Sequence, residues 1–156
     1  MQDRYLFKAK RIGNGEWEIG SLIILPNGKY EIANGCANPP DSDPMWKSCV
    51  ITHLVNPSTI CQCTGLKDKN GNLIWENDIV NGSINRGAAF YRCLVLWNER
   101  KARFDVRAMG CNFPMTLDEC TDDISMSGFE YEAVGNVFDN PELLEEKYGD
   151  MQTQES

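Results

Sequence analysis

Short apolar stretches alternate with polar residues along most of the chain, and Gly, Asn and Pro separate them. This period of two predicts strands rather than helices. In YLFKAKRI, apolar Tyr5, Phe7 and Ala9 alternate with polar Lys8 and Lys10. Gly13-Asn14-Gly15 follows, then Trp17-Glu18-Ile19 and, beyond Gly20, Ser21-Leu22-Ile23-Ile24-Leu25. The reading is a strand, a glycine-rich turn and a return strand. Pro26-Asn27-Gly28 makes the next turn before Lys29 to Ile32. Cys49 to Val55 has strand composition, Asn56-Pro57-Ser58-Thr59 turns the chain, and further strands are predicted at Arg92 to Trp97, Arg103 to Arg107 and Tyr131 to Phe138.

Two stretches break this rhythm. Asn34 to Lys47, NGCANPPDSDPMWK, holds three prolines among small polar residues and is expected to be an irregular connection between subdomains. Near the end, Asn140 suits a helix cap, Pro141 the first helical position and Glu142 the positive end of the helix dipole. Leu143 to Tyr148 would continue that helix and Gly149 stop it. The expected layout is an N-terminal β subdomain with its connection over 3–47, a barrel part ending in a short helix over 48–148, and a flexible polar tail over 149–156. The apolar phase nominates Trp17, Leu22, Ile24, Leu66, Ile74, Ile79, Val80, Val95, Trp97, Val106, Val134 and Val137 as the core.

Composition permits such a core: 42% of residues are hydrophobic and 24% charged, outside the disordered class. The formal charge of −8 sets the molecule as a whole against nucleic-acid phosphates and anionic membrane surfaces. Local basic clusters remain at Lys8-Ala9-Lys10-Arg11 and Arg100-Lys101-Ala102-Arg103, near Tyr5, Phe7, Trp97 and Phe104. The longest apolar run, Leu22 to Leu25, is far shorter than the ~20 residues of a membrane helix. Seven cysteines without framework spacing, and no secretory segment, fit reduced thiols in a cytoplasm.

Candidate chemistry is sparse. In TGLKDKNGNLIWENDIV, residues 64 to 80, Asp68, Asn70 and Asn72 occupy the first, third and fifth positions of a calcium loop. Leu73 stands where the loop needs Gly, and Ile79 where it needs a bidentate Glu. Asn70-Gly71 between strands reads instead as a hairpin turn, both residues tolerating positive φ. Cys61 and Cys63 share one strand face, and Cys49-x-x-x-His53 could edge a zinc site. No second knuckle accompanies them, and small buried thiols are the commoner strand residents. No glycine turn marks an activated Cys or Ser. The pairs Asp118-Glu119 and Asp122-Asp123 read as a solvated loop. No catalytic, cofactor-binding or metal-binding residue is nominated.

Three blocks carry a family resemblance. Arg4 to Lys10, followed by Asn14-Gly15-Glu16-Trp17 and Gly20, is similar to an opening "YLF-x-x-K … GEW … G". Ser58 to Gly71, continuing to Asp78-Ile79-Val80, is similar to "QYTGLKDKNG … I-[YF]-EGDIV". Glu132 to Leu144 is similar to "EVIGNIYENPELL". The chain thus resembles the YopX family of bacteriophage and prophage proteins, whose function is not established. The resemblance implies a β-rich fold with a small SH3-like barrel as its second part, and it supplies no catalytic residues. Cys63 replaces the family's usual Tyr. Asn77 replaces the Gly of "EGD", where a positive φ is expected and Asn is the best-tolerated substitute.

These observations together lead to a non-enzymatic binding module without cofactor, acting on a protein partner in a bacterial host cytoplasm. Self-association through sheet edges is a further expectation. The competing readings are nucleic-acid binding through the two basic clusters, an acidic nucleic-acid mimic, and a metal-dependent enzyme.

Overall fold

The computed structural model describes residues 3–37, 49–84, 89–110, 114–117 and 130–145. The chain is mainly β. Its strands in order are β1 (Phe7–Lys10), β2 (Trp17–Ile24), β3 (Tyr30–Ala37), β4 (Cys49–Leu54), β5 (Cys61–Lys67), β6 (Leu73–Trp75), β7 (Asp78–Ile84), β8 (Ala89–Asn98), β9 (Arg103–Ala108), β10 (Met115–Thr116) and β11 (Glu130–Asn136). Among the described residues no helix is long and apolar enough to cross a membrane. Two compact units divide between Cys63 and Thr64.

In the N-terminal unit the antiparallel order is β4-β3-β2-β1-β5. Strand alternation decides its two faces. Ala9 pairs with Glu18 and Phe7 with Gly20, while Leu22 pairs with Ile32 and His53 with Ile32 from the other side. That face carries the core of Ala9, Ile32 and Val55, packed by Phe7, Leu22, Tyr30 and Ile60. Beyond β4 the chain curls back: Arg11 bridges Val55, Ile12 N donates to Leu54 O, and Asn56 N donates to Lys10 O.

Two core expectations are corrected, Trp17 by the same alternation and Ile24 by its place at the strand end. Trp17 and Ile19 pair with Lys10 and Lys8 on the opposite face, so Trp17 is only half-buried. Ile24, the last residue of β2 before the Pro26–Gly28 turn, is 65% exposed. β4, downstream of the proline-rich stretch, pairs with β3, so that stretch links neighbouring strands of one unit. Residues 38–48 themselves lie outside the described residues.

The C-terminal unit holds a five-stranded antiparallel sheet in the order β10-β9-β8-β7-β11. Ile74, Val80, Cys93, Val95, Val106, Ala108, Leu117 and Tyr131 form its buried cluster, and Ile79 is fully buried as well. Five nominated core residues, Ile74, Ile79, Val80, Val95 and Val106, are therefore buried. Leu66, Val134 and Val137 are half-buried. Trp97 is not core: it keeps 41% of its surface in water and meets Phe104 edge-on, ring centroids 5.0 Å apart.

This sheet is open, since β10 and β11 end it and nothing joins them among the described residues. Among the described residues there is no closed barrel. Nor is there a C-terminal α-helix within the described residues. Pro141–Leu144 is one 3₁₀ turn, with proline at its start as expected, but the Asn140 side chain makes no cap hydrogen bond. Its Oδ1 accepts instead from Asn136 N at 3.4 Å, lying where a Cβ on Gly135 would be. The turn has lost its cap to the strand before it. The expected continuation through Tyr148, and the tail, fall outside the described residues.

Candidate functional site

TGLKDKNG resolves into turn chemistry. Asp68 N donates to Asn72 O and Gly71 N to Asp68 O, so the hairpin loop is Lys69-Asn70-Gly71. Only Gly71 of the Asn-Gly pair has positive φ, at +85°, the form of a three-residue hairpin loop with its last residue left-handed. Gly65 adopts +81° within β5, and Asn77 takes +65° as expected for the position where the family has Gly. Thr64 Oγ1 donates to Ile74 O at 2.7 Å, fastening β5 to β6.

The Asp68 carboxylate, 6% exposed, organises this turn. Oδ1 accepts from Asn70 N and Asn72 N, each at 2.9 Å, and Oδ2 from Asn72 Nδ2 at 3.3 Å and Ala133 N at 3.2 Å. Burial pushes its carboxyl up. The donors from Asn72, Ala133 and Asn70 outweigh that and hold it below its ordinary 3.8. Outside, Lys69 Nζ lies 2.8 Å from Glu132 Oε2; this bond raises Lys69 and lowers Glu132. A calcium ion would compete with donors that already fill the carboxylate.

A second polar cluster, which no motif announced, centres on Glu18, only 4% exposed. Arg11 Nε donates to its Oε2, and Asn34 Nδ2 to its Oε1. Asn34 stands in the β3 bulge between Ala33 and Gly35, which turns its amide onto this face. His53 Nδ1 lies 3.3 Å from Glu18 Oε2 without hydrogen-bond alignment. One polar side chain from each of four neighbouring chain segments thus meets on the core face. The available signal was phase: Glu18 falls in step with Gly20 and Leu22. Glu18→Ala is expected to cost about 2 kcal/mol, read as a denaturant midpoint. Larger losses from buried pairs do not apply, because Arg11 and His53 keep 29% and 33% of their side chains exposed.

Cys61, Cys63 and Cys93 are buried, the first two on one face of β5. Among the described residues, no three of His, Cys, Asp and Glu form a metal-ligand group. The side chain of Cys49 and the acid pairs at 118–123 are outside the described residues.

The two basic clusters end differently. Around the β8–β9 turn, Lys101 N donates to Asn98 O, and Ala102 takes φ +50°. Arg103 Nε donates to the buried Asp105 at 2.9 Å, and Asn98 Nδ2 donates to it at 2.6 Å. Arg103 is thereby neutralised. Arg100 and Arg107 line an open depression of about 410 Å³ beside Glu99 and Asp105, a surface of mixed sign.

On β1 the arrangement is simpler, and Lys8, Lys10 and Trp17 are each half-buried. Lys8 and Lys10 share the outer face of the sheet with Trp17 and Ile19, and both ammonium groups lie over the indole, at 5.1 and 5.5 Å from its centroid. Ile19, opposite Lys8, is 48% exposed. Two cations on one ring, bordered by an exposed aliphatic side chain, make a platform for a chain that is both anionic and apolar.

No curated protein matches the chain. The family model described as YopX protein matches residues 27–145, a span holding the second and third sequence blocks, the Asp68 turn and the Gly135–Asn140 interlock. By this match over most of its length, the chain belongs to the YopX family.

Proposed function

We propose that this YopX-family chain is a non-enzymatic binding module for a protein partner, encoded by a phage or prophage and acting in the cytoplasm of the bacterial host. The observation that carries it is the Lys8–Trp17–Lys10 platform with Ile19 beside it. Charge distribution supports a protein ligand with acidic and apolar side chains. Residues 1–63 hold six Lys/Arg against six Asp/Glu, whereas residues 64–156 hold nine against seventeen. The platform therefore sits on the electrically neutral unit. An acidic partner approaches it without opposing that unit's net charge.

The finer reading of the C-terminal unit as SH3-like belongs to the same proposal. Its support is the strand order, a meander from β7 to β10 with β11 returning beside β7. A second reading, single-stranded nucleic acid, draws on the same residues, since Lys can meet phosphate while Trp stacks a base.

The test compares the tagged full chain with a Lys8→Glu/Lys10→Glu variant in induced host cells, followed by titration of any purified partner. Partner affinity is expected to fall about tenfold or more in the variant with its unfolding temperature unchanged. A partner bound equally by both chains would remove the platform from recognition. Titrating single-stranded oligonucleotides over a range of salt separates the second reading, which requires binding that weakens steeply with salt.

A further inference from the structure

We propose that β4 is a self-association seam through which two copies of this chain pair antiparallel about Ile51. This rests on the edge of the N-terminal sheet and stands independently of the Lys8–Trp17 platform. β4 ends the sheet order. Its sequence, CVITHL, contains no Lys, Arg, Asp, Glu or Pro, the residues by which soluble proteins blunt an open edge. Val50 and Ile51 are 56% and 42% exposed.

Backbone direction fixes the register. Val55 N donates to Tyr30 O on the β3 side, while Leu54 O accepts from Ile12 N on the other. Alternation along an antiparallel strand then points the N–H and C=O of Val50 and Thr52 away from β3, and those of Ile51 and His53 toward it. Leu54 is already engaged, so a new strand must pair upstream of it. A two-fold axis through Ile51 meets that condition. Val50 of each copy faces Thr52 of the other in a hydrogen-bonded pair, giving four ladder bonds, and the two Ile51 side chains meet across the axis. The Val50–Thr52 and Ile51–Ile51 pairs are β-branched, which suits cross-strand packing.

A second copy is the favoured occupant because the seam is uncharged and matches itself. Residues 1–63, the unit that carries the seam, balance six Lys/Arg against six Asp/Glu. A few residues of edge pairing bury less than the ~1,000 Å² of a stable interface, so the association depends on concentration.

Light scattering with size-exclusion chromatography of the full chain, from micromolar to millimolar, is expected to show a monomer–dimer equilibrium. Amide exchange at Val50 and Thr52 should slow as concentration rises, while Ile51 and His53 stay unchanged. Val50→Lys and Thr52→Lys should each weaken dimerisation about tenfold or more; Val50→Lys, at an exposed position, retains the fold and decides the matter alone if Thr52→Lys does not. A chain that stays monomeric throughout, a dimer that survives Val50→Lys, or a dimer that leaves the Val50 and Thr52 amides unprotected would overturn the proposal.

Discussion

Gly20→Ala is expected to destabilise the N-terminal unit by about 3 kcal/mol, at the upper end of overpacking penalties. A Cβ built on Gly20 lies 2.0 Å from Ala33 O, 2.8 Å from Ala33 C and 3.0 Å from Ile32 Cγ2. Two of those atoms are backbone of β3, so no rotamer change makes room. Relief requires β2 and β3 to separate beside the Asn34 bulge, which also pulls the Asn34 amide from Glu18. A melting temperature lower by roughly 10 °C corresponds to this loss in a chain of this size. Gly13→Ala supplies the control: nothing lies within 4 Å of its Cβ, so it is expected to be close to neutral. Equal melting temperatures for Gly20→Ala and the parent chain would show that β3 can yield without cost.

The sequence already carried much of the strand pattern, because alternation and turn residues act locally. Gly71 at +85° stands where turn chemistry required it, and Asn77 at +65° where the family resemblance implied it. Alternation left the sign of each face undecided. In β2 it said only that Trp17 and Glu18 point opposite ways, and hydrophobicity then favoured Trp17 inside. The structure reverses that choice, because Arg11 and Asn34 supply hydrogen bonds to a buried Glu18 from two other segments and His53 lies beside it from a third. Such compensation has no local signature. The platform was half legible: the Lys8–Arg11 cluster was visible in the sequence, but its pairing with Trp17 needed the β1–β2 register. The C-terminal turn failed for a related reason. Asn140 and Pro141 carry helix-start propensity, yet Asn140 is drawn to Asn136 and Gly135, and a tertiary contact overrides the cap.

Asp68→Ala is expected to cost about 3 kcal/mol, since it removes a charged acceptor from several donors at once. Two of them, Asn70 N and Asn72 N, shape the hairpin loop. A third, Ala133 N, belongs to β11 across the unit. Losing the carboxylate therefore loosens both the turn and its attachment to the sheet. Acid provides an independent reading. Asp68 is held below its ordinary 3.8 in the folded chain, so its ionised form is favoured by folding. Its contribution is complete above that value and disappears as pH falls through the lower folded one. Urea midpoints measured from neutral pH downward should consequently fall more steeply for the parent chain than for Asp68→Ala in this acid range. Glu132 is also lowered, through its bond to Lys69, but both groups are 39% exposed and salt screens them. Added salt should thus trim the Glu132 share and leave the difference between parent and variant largely intact. Parallel acid limbs at all salt concentrations would mean that the backbone donors around Asp68 do not favour its charged form.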